Sequence, residues 1–216
     1  MSGKLIVIEG TDGAGKATQT ALLTKRLKGE GYKINALSFP DYESDSSALI
    51  KMYLRGDFGK DAGAVSPYAA SLFYAADRYA SYQMKWKAAY EAGEIFLADR
   101  YVTSNLAHQG IKLPKEEREN FIKWLSDLEY DKLGLPKPDM VLFLDVPPEI
   151  SLKLVKDRGR SDIHEKNSDY LKNVYDIYNS FSEKFGWKKI ECAREEAIKS
   201  VEEIGDMVYN EVKKIL

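Results

Sequence analysis

The sequence has few of the residues on which covalent cross-links and metal clusters depend. It holds one cysteine, Cys192, so no disulfide can form within the chain. Its two histidines, His108 and His164, leave no cluster of zinc ligands to argue from. Cys192 ends a short apolar stretch, which is typical of a buried and unreactive thiol. Disulfide-stabilised scaffolds are therefore excluded, and nothing indicates zinc chemistry.

The sequence also lacks an excess of one charge and any long hydrophobic run. The net charge is −2, so composition supplies no basic surface for duplex nucleic acid. The longest apolar runs, Leu5 to Ile8 and Met140 to Leu144, are far too short to cross a bilayer, and the first residues lack the apolar region of a signal peptide. We therefore expect a cytoplasmic globular protein that binds neither duplex nucleic acid nor membranes.

Short runs rich in β-forming residues alternate with longer helical patterns over residues 1–216, with no composition shift that would indicate two domains. Strands without polar alternation, separated by helices, favour a parallel sheet covered on both faces. We predict a single α/β domain. Its predicted strands are Lys4 to Glu9, Lys33 to Phe39, Glu94 to Asp99, Met140 to Asp145 and Lys188 to Cys192.

The helical patterns have recognisable starts and stops. The first helix should begin inside a glycine-rich stretch and end near Lys28, where "GEGY" follows. A long helix should begin after Ser66, a good N-cap, with Pro67 at its first position, and continue to about Ala92. Further helices are predicted at about residues 115–128, 148–156, 167–185 and 195–215.

The first chemical motif is a glycine-rich turn between a strand and a helix. The strand "KLIVIE" leads into "GTDGAGKAT", residues 10–18, which we call the phosphate loop. Its glycines allow successive N–H groups to point at phosphate oxygens, and Lys16 adds a mobile positive charge for the β- and γ-phosphates. The predicted ATP-binding residues are Gly10, Thr11, Asp12, Gly13, Ala14, Gly15, Lys16, Ala17 and Thr18.

Ala17 stands where the G-x-x-x-x-G-K-[ST] motif places a hydroxyl for Mg²⁺. Magnesium keeps several waters and can be held by the triphosphate and one carboxylate, so loss of this ligand need not abolish binding. Thr18 lies about 100° further round a helix, which makes direct replacement by it doubtful. We predict a water in the gap and Asp99, at the end of a predicted strand, as the metal ligand, directly or through water.

A second group of polar residues follows the strand "EIFL". Asp99 and Arg100 there suit either a structural ion pair or a site. In the long helix, Tyr74, Arg78 and Ser81 are spaced by four and three residues, so they share one stripe. Such a stripe is often a solvated face, but ring stacking and a guanidinium can also hold a nucleobase.

In their order, these segments resemble the thymidylate kinases, which transfer the γ-phosphoryl group of ATP to thymidine monophosphate. The resemblance implies a P-loop NTPase fold, with three α/β/α layers, a five-stranded parallel sheet and a small mobile lid at about residues 154–166. It also implies Mg²⁺ as cofactor and a homodimer. The matching segments are "EGTDGAGKATQ" (Glu9 to Gln19), "FPDY" (Phe39 to Tyr42), "LFYAADRY" (Leu72 to Tyr79), "ADRYVTSN" (Ala98 to Asn105) and "GLPKPDMVLFLDVPP" (Gly134 to Pro148).

The resemblance further implies roles for individual residues. The implied catalytic residues are Asp12, Lys16, Asp99, Arg100, Arg158 and Arg160, of which the last two belong to the lid. Since Gly13 occupies the place where some members have a catalytic arginine, the lid has to supply it. Tyr74 would stack on the pyrimidine, and Arg78 would bond its carbonyl edge. The implied acceptor-binding residues are Phe39, Pro40, Tyr74, Arg78, Arg100, Tyr101, Asn105 and His108, with Arg55 as a possible addition.

Three departures from the family pattern leave alternatives open. Ala17 replaces the magnesium hydroxyl, Asp41 and Tyr42 stand where an arginine is common, and Ile163 replaces a frequent arginine. A carboxylate at position 41 would repel a phosphate. One alternative is a kinase of another pyrimidine nucleotide or of a nucleoside. The other is a nucleotide-binding regulator that has lost the chemistry.

Overall fold

The protein is built around a sheet of five parallel strands in the order β2-β3-β1-β4-β5. The computed structural model describes residues 2–59, 63–157, 168–195 and 197–216. Every strand of this sheet lies within its predicted run, so the prediction of a five-stranded parallel sheet is confirmed. The strands are β1 Lys4–Glu9, β2 Ile34–Ser38, β3 Ile95–Asp99, β4 Met140–Asp145 and β5 Lys188–Glu191.

The central position of β1 brings three strand ends together. Ile8 of β1 pairs with Asp99 of β3, and Asp99 pairs with Ser38 of β2. Because the strands run the same way, their carboxyl ends lie at one edge of the sheet, where open α/β sheets bind ligands. The phosphate loop starts at this edge.

Helices cover both faces of the sheet and complete the three layers. In the part of the chain that the structure describes, no helix is long and apolar enough to cross a membrane. Two π-helical turns, Tyr82–Trp86 and Asp127–Lys132, directly follow α3 and α6. The helices are α1 Lys16–Gly29, α2 Ala48–Arg55, α3 Pro67–Ser81, α4 Lys87–Glu91, α5 Val102–Gly110, α6 Lys115–Ser126, α7 Pro148–Asp157, α8 Ser168–Phe185 and α9 Val201–Lys213.

Alternate residues of the central strand enter two different cores. Leu5 and Val7 belong to a core shared with α5, α6 and α8, whereas Ile6 and Ile8 belong to a core shared with α1, α7 and α9. This follows from the two-residue period of a strand. All four side chains are fully buried, which explains why the sequence shows no polar alternation here.

The long predicted helix begins as expected but is interrupted. Ser66 caps α3 by accepting a hydrogen bond from the backbone N–H of Ala69 at 3.2 Å. The helix expected to reach Ala92 changes to a π-helical turn at Tyr82 and resumes only as the short α4.

Three local predictions were wrong or incomplete. Helix α5 was not predicted because all of its residues except His108 are buried, and its polar residues Ser104, Asn105 and Gln109 line the pocket instead of forming a solvent-exposed face. The eight-residue α2 was also missed. The last helix starts at Val201 and not at Glu195, since Ser200 forms a capping box with Glu203. The preceding residues form a small antiparallel pair, β6 Ala193–Arg194 and β7 Ala197–Ile198.

Candidate active site

The phosphate loop follows a path that requires glycine. Gly13 and Gly15 have φ angles of 86° and 84°, a left-handed region that residues with side chains rarely adopt. At Gly10, an added Cβ would lie 3.1 Å from the carbonyl oxygen of Leu144. Helix α1 begins within the loop at Lys16, and the N–H groups of its first turn provide donors for a phosphate.

Lys16 is folded over the phosphate loop. Its Nζ donates hydrogen bonds to the carbonyl oxygens of Gly10 and Thr11, both at 2.9 Å. The residue is 7% exposed. Burial, followed by the positive charge of Arg100, lowers the pKa of Lys16 to about 8. A bound phosphate would add negative charge beside this buried amine and so favour its protonated form.

A serine from α7 contacts the far side of the same loop. Ser151 donates from Oγ to the carbonyl oxygen of Asp12 at 2.8 Å, and Thr11 donates from Oγ1 to Ser151 Oγ at 3.4 Å. Ser151 is fully buried. These bonds hold the loop in place and connect it to the helix that runs towards the predicted lid.

The residues around the predicted metal position suit an ion carried mainly by phosphate. Ala17 and Thr18 are both exposed at the start of α1. Asp99 lines the adjoining pocket from the end of β3. Among the described residues, no group of three or more His, Cys, Asp or Glu side chains could hold a metal ion. A Mg²⁺ ion that keeps phosphate oxygens and waters needs only one such carboxylate, so the donor set fits the predicted role of Asp99.

A pocket of about 310 Å³ adjoins the phosphate loop at the carboxyl edge of the sheet. It brings together residues from the phosphate loop, the ends of β2 and β3, and helices α3 and α5. The predicted residues that line it are Asp12, Phe39, Pro40, Tyr74, Arg78, Asp99, Arg100, Tyr101, Asn105 and His108. Ser38, Tyr42, Leu54, Ser104, Gln109 and Tyr170 complete the lining.

Arg100 connects the pocket to the phosphate loop. It has a φ of 67°, which is uncommon for a residue with a side chain, and its Nη2 forms an ion pair with Asp12 Oδ1. Burial opposes its charge, but Asp12 and the neighbouring carboxylates raise the pKa of Arg100 above its usual value. The guanidinium therefore stays charged at the boundary of the two sites.

His108 links Arg100 to α8. Arg100 Nη1 lies 3.2 Å from His108 Nε2, and His108 Nδ1 lies 2.8 Å from the hydroxyl of Tyr170. Since a guanidinium can only donate, Nε2 accepts, which leaves the proton of the neutral ring on Nδ1 to be donated to Tyr170. The neutral ring of His108 is the form that satisfies both contacts.

The carboxylate of Glu9, immediately before the phosphate loop, is fully buried and accepts hydrogen bonds from two helices. Thr103 Oγ1 donates to its Oε1 at 2.5 Å, and Ser104 Oγ donates to its Oε2 at 2.6 Å. The hydroxyl of Tyr178 in α8 donates to the same Oε2 at 2.9 Å. Ser104 also accepts from Arg100 Nη1 at 3.2 Å, so this network supports the pocket arginine.

Arg78 is held by a buried carboxylate that the sequence did not reveal. Its Nε and Nη2 donate to the two carboxylate oxygens of Glu129 at 2.6 and 2.5 Å. Asn105 Nδ2 donates to the same carboxylate at 3.3 Å. The side chains of Arg78 and Glu129 are 2% and 0% exposed. Two residues that line the pocket therefore share one partner outside its lining.

The ring of Tyr74 packs against the ring of Tyr53. The ring of Tyr53 meets that of Tyr74 edge-on, with centroids 6.5 Å apart. Lys112 Nζ donates to the Tyr53 hydroxyl at 2.5 Å and to Gln109 Oε1 at 3.1 Å. Burial lowers the pKa of Lys112 to about 8. Tyr74 itself lines the pocket, and its stacking on the pyrimidine stays a prediction.

One departure from the family pattern, the carboxylate of Asp41, has a compensating partner in the structure. Asp41 forms an ion pair with Lys85 at 2.5 Å, and its backbone N–H donates to Asp77 at 2.8 Å. Lys85 offsets the negative charge, so the repulsion expected from Asp41 is reduced. Tyr42 lines the pocket. By contrast, Arg55 is an exposed partner of Asp57 at 2.7 Å and does not line the pocket, so its position gives the predicted acceptor contact no support.

The predicted lid arginines, Arg158 and Arg160, lie outside the described residues, as does Ile163. Of the predicted lid, residues 154–157 form the end of α7.

Several pocket residues were missed, and some of them had a usable signal. Ser104 and His108 are four residues apart on α5, as are Asn105 and Gln109. Had the helix been predicted, this spacing would have placed Ser104 and Gln109 beside the residues already proposed. Tyr170 carries no such signal, because it reaches the pocket from a different helix far along the chain.

Comparison with known proteins places the chain in a specific group. A sequence model of the family described as thymidylate kinase matches residues 8–204. A thymidylate kinase of Caldicellulosiruptor saccharolyticus is 33% identical, over 100% of this chain and 97% of that protein. A probable thymidylate kinase of Thermococcus onnurineus is 32% identical over 92% of each. A solved thymidylate kinase of Candida albicans shares the fold, with a TM-score of 0.76 and 23% identity over 99% of this chain and 92% of that one.

Proposed function

The chain belongs to the thymidylate kinase family, and we propose a role for each part of its pocket in the transfer of the γ-phosphoryl group of ATP to thymidine monophosphate. The protein is accordingly an ATP-dependent nucleoside monophosphate kinase. In this reaction an oxygen of the acceptor phosphate bonds to the γ-phosphorus, and the bond from that phosphorus to the bridging oxygen of ADP breaks.

The phosphate loop binds the donor. Its backbone N–H groups receive the phosphate oxygens, and Lys16 moves from the carbonyls of Gly10 and Thr11 to the β- and γ-phosphates. Asp99, which lines the pocket, would hold Mg²⁺ directly or through water. When bound, this ion neutralises negative charge on the phosphates. The contribution of the phosphate loop and Lys16 is to orient the triphosphate.

The pocket binds the acceptor. Tyr74 offers a face for the pyrimidine ring, and Phe39, whose ring lies 5.8 Å from that of Tyr101, closes the opposite wall. Arg78 donates to a carbonyl of the base. His108 and Tyr101 lie by the sugar. With the base held deep in the pocket, the acceptor phosphate points back to Arg100.

Arg100 and Asp12 align the two substrates. In this structure Arg100 is paired with Asp12 of the phosphate loop. An acceptor phosphate would share or replace that carboxylate as the partner of Arg100, which places its oxygen next to the γ-phosphate. Charged groups fixed in this way lower the barrier because they need no reorganisation during the transfer. Arg158 and Arg160 are proposed to add positive charge from the lid and to exclude water.

The observation that carries the proposal is the ion pair of Asp12 with Arg100, because it joins the phosphate loop to the pocket. An assay of ADP release with each common nucleoside and nucleoside monophosphate tests it. Thymidine monophosphate should be the best acceptor, and Lys16→Ala should abolish turnover with every acceptor. Preference for an unphosphorylated nucleoside would reject the proposed acceptor, and ATP binding without any transfer would reject the enzyme.

We also propose a homodimer, which the resemblance implies. Leu49 of α2 and Leu72 and Tyr79 of α3 are 44%, 49% and 41% exposed, so these adjacent helices present apolar surface. Light scattering after size exclusion should give twice the chain mass, and Leu72→Lys should reduce it. A monomeric wild-type protein would contradict the proposal. The cytoplasmic location remains a prediction, which cell fractionation can test.

A further inference from the structure

The carboxylate of Glu129, outside the pocket lining, accepts hydrogen bonds from Arg78 and Asn105, two residues proposed to bind the acceptor. Glu129 lies in the π-helical turn Asp127–Lys132 and is fully buried. Its Oε1 accepts from Arg78 Nη2 at 2.5 Å and from Asn105 Nδ2 at 3.3 Å, while its Oε2 accepts from Arg78 Nε at 2.6 Å. A guanidinium bonded through two nitrogens to one carboxylate has a fixed plane.

The pairing with Glu129 leaves one guanidinium nitrogen of Arg78 to bind a ligand. Nε and Nη2 of Arg78 are occupied by Glu129, and Nη1 is the remaining guanidinium nitrogen, with no hydrogen bond to another residue of the described ranges. Arg78 lines the pocket although it is 2% exposed. Nη1 can donate but cannot accept. The group it meets must therefore be an acceptor such as a carbonyl oxygen.

The orientation of Asn105 depends on the same carboxylate. Its Nδ2 is directed towards Glu129 and the backbone oxygen of Ser71 at 3.3 Å, which turns its Oδ1 towards the Ser71 hydroxyl at 3.4 Å. Without the carboxylate, neither the amide of Asn105 nor the plane of Arg78 has a strong partner to set its direction.

We propose that Glu129 is a positioning residue that makes the pocket select a pyrimidine with a carbonyl, and reject one with an amino group, at the edge facing Arg78. The inference rests on the proposed function and extends it to base selection. Thymine and uracil carry a carbonyl at position 4, where cytosine carries an amino group. An amino group there would face a donor that Glu129 prevents from turning away, which leaves two donors opposed and unpaired.

The test compares wild type with Glu129→Gln. A glutamine keeps the size but replaces one carboxylate oxygen by a donor, so the guanidinium loses its two-point attachment. The KM for thymidine monophosphate should rise about tenfold or more, as expected when a hydrogen bond to a charged group is lost. The KM for ATP and the kcat at saturating acceptor should stay within about twofold, because the phosphate loop is untouched. The preference for thymidine over deoxycytidine monophosphate should fall about tenfold.

Deoxyuridine monophosphate supplies an internal control. It differs from thymidine monophosphate only in the methyl group and has the same carbonyl edge, so the ratio between these two acceptors should not change. Asp127→Asn supplies a matched protein control, because it removes an exposed carboxylate from the same π-helical turn. It should leave the acceptor KM and both of these acceptor ratios unchanged.

A buried arginine without its partner can impair folding, so a second variant removes both charges. Arg78→Met with Glu129→Met should fold, bind thymidine monophosphate weakly in calorimetry and show the same loss of selection between the two bases. The inference fails if either folded variant keeps the wild-type preference. Failure of the proposed function has a different signature, since wild type would then neither phosphorylate nor bind thymidine monophosphate.

Discussion

Binding of ATP to the free protein should take up a proton at alkaline pH, because burial and Arg100 disfavour the charge of Lys16 more than the nearby carboxylates favour it. Its pKa is lowered from the usual 10.5 to about 8, with burial as the largest cause and Arg100 as the next. This difference corresponds to ~3 kcal/mol that disfavours the charged amine. The β- and γ-phosphates bring negative charge to the same nitrogen, so the complex should restore the protonated form.

The expected uptake follows from the protonated fraction of Lys16. With a pKa of about 8, the free protein holds this proton in about 0.9 of molecules at pH 7, about 0.5 at pH 8 and about 0.1 at pH 9. If the complex is fully protonated, binding takes up about 0.1, 0.5 and 0.9 protons at these pH values. Calorimetry of ATP binding in pairs of buffers with different ionisation enthalpies measures this number directly.

Lys112 provides a matched control for this experiment. Burial gives it the same pKa of about 8, but its Nζ contacts Tyr53 and Gln109 on the acceptor side. Lys112→Met should leave the proton uptake on ATP binding unchanged, whereas Lys16→Met should remove it. Uptake that stays near zero at pH 9, or that persists in Lys16→Met, would refute the assignment of this proton.

The same pKa also predicts how folding stability changes with pH. Between pH 8 and pH 10.5 the unfolded chain holds a proton on Lys16 that the folded chain has lost. The contribution of Lys16 to the free energy of unfolding therefore rises with pH across this window. Denaturant unfolding at pH 8 and pH 9.5 should show this rise in wild type and a smaller one in Lys16→Met.

Three further predictions concern residues that depart from the family pattern or lie outside the pocket. Ala17→Ser should preserve or raise magnesium-dependent turnover, and a clear loss would show that the alanine is not a tolerated gap. Lys85→Met removes the partner of Asp41, so the acceptor KM should rise several-fold at low salt and less at high salt; an effect independent of salt would contradict this charge argument. Cys192 is fully buried and its pKa is raised to about 12 by burial, so a thiol reagent at pH 8 should label the unfolded chain and not the native one.

The sequence predicted the sheet well because local patterns and burial agree there. The three inner strands, β1, β3 and β4, are short apolar runs bounded by charged residues or glycine, and most of their residues are buried in the structure. Ser66 and Pro67 likewise specify the start of α3 without help from distant contacts. Helix α5 was not predicted for the opposite reason, since its polar residues face the pocket and no solvent-exposed polar face marks the helix.

Site residues that lie within a sequence motif were predictable, whereas residues that distant segments of the chain bring to the site were not. The phosphate loop, Asp99 and Arg100 are adjacent in sequence to strands that end at one edge. Glu129 reaches Arg78 across 51 positions of sequence and from a π-helical turn, where an inserted residue changes the direction of following side chains. No local pattern in the sequence indicates that contact.

The buried carboxylate of Glu9 limits how this site can change during evolution. Three hydroxyls, those of Thr103, Ser104 and Tyr178, converge on it. Loss of one hydroxyl leaves a buried carboxylate oxygen of Glu9 with one hydrogen bond fewer, and replacement of Glu9 leaves several buried hydroxyls without this acceptor. Single substitutions are therefore destabilising, and simultaneous compensating substitutions are favoured. We therefore expect relatives that keep the acid to retain hydroxyl side chains at these three positions, and relatives without it to have lost several of them together.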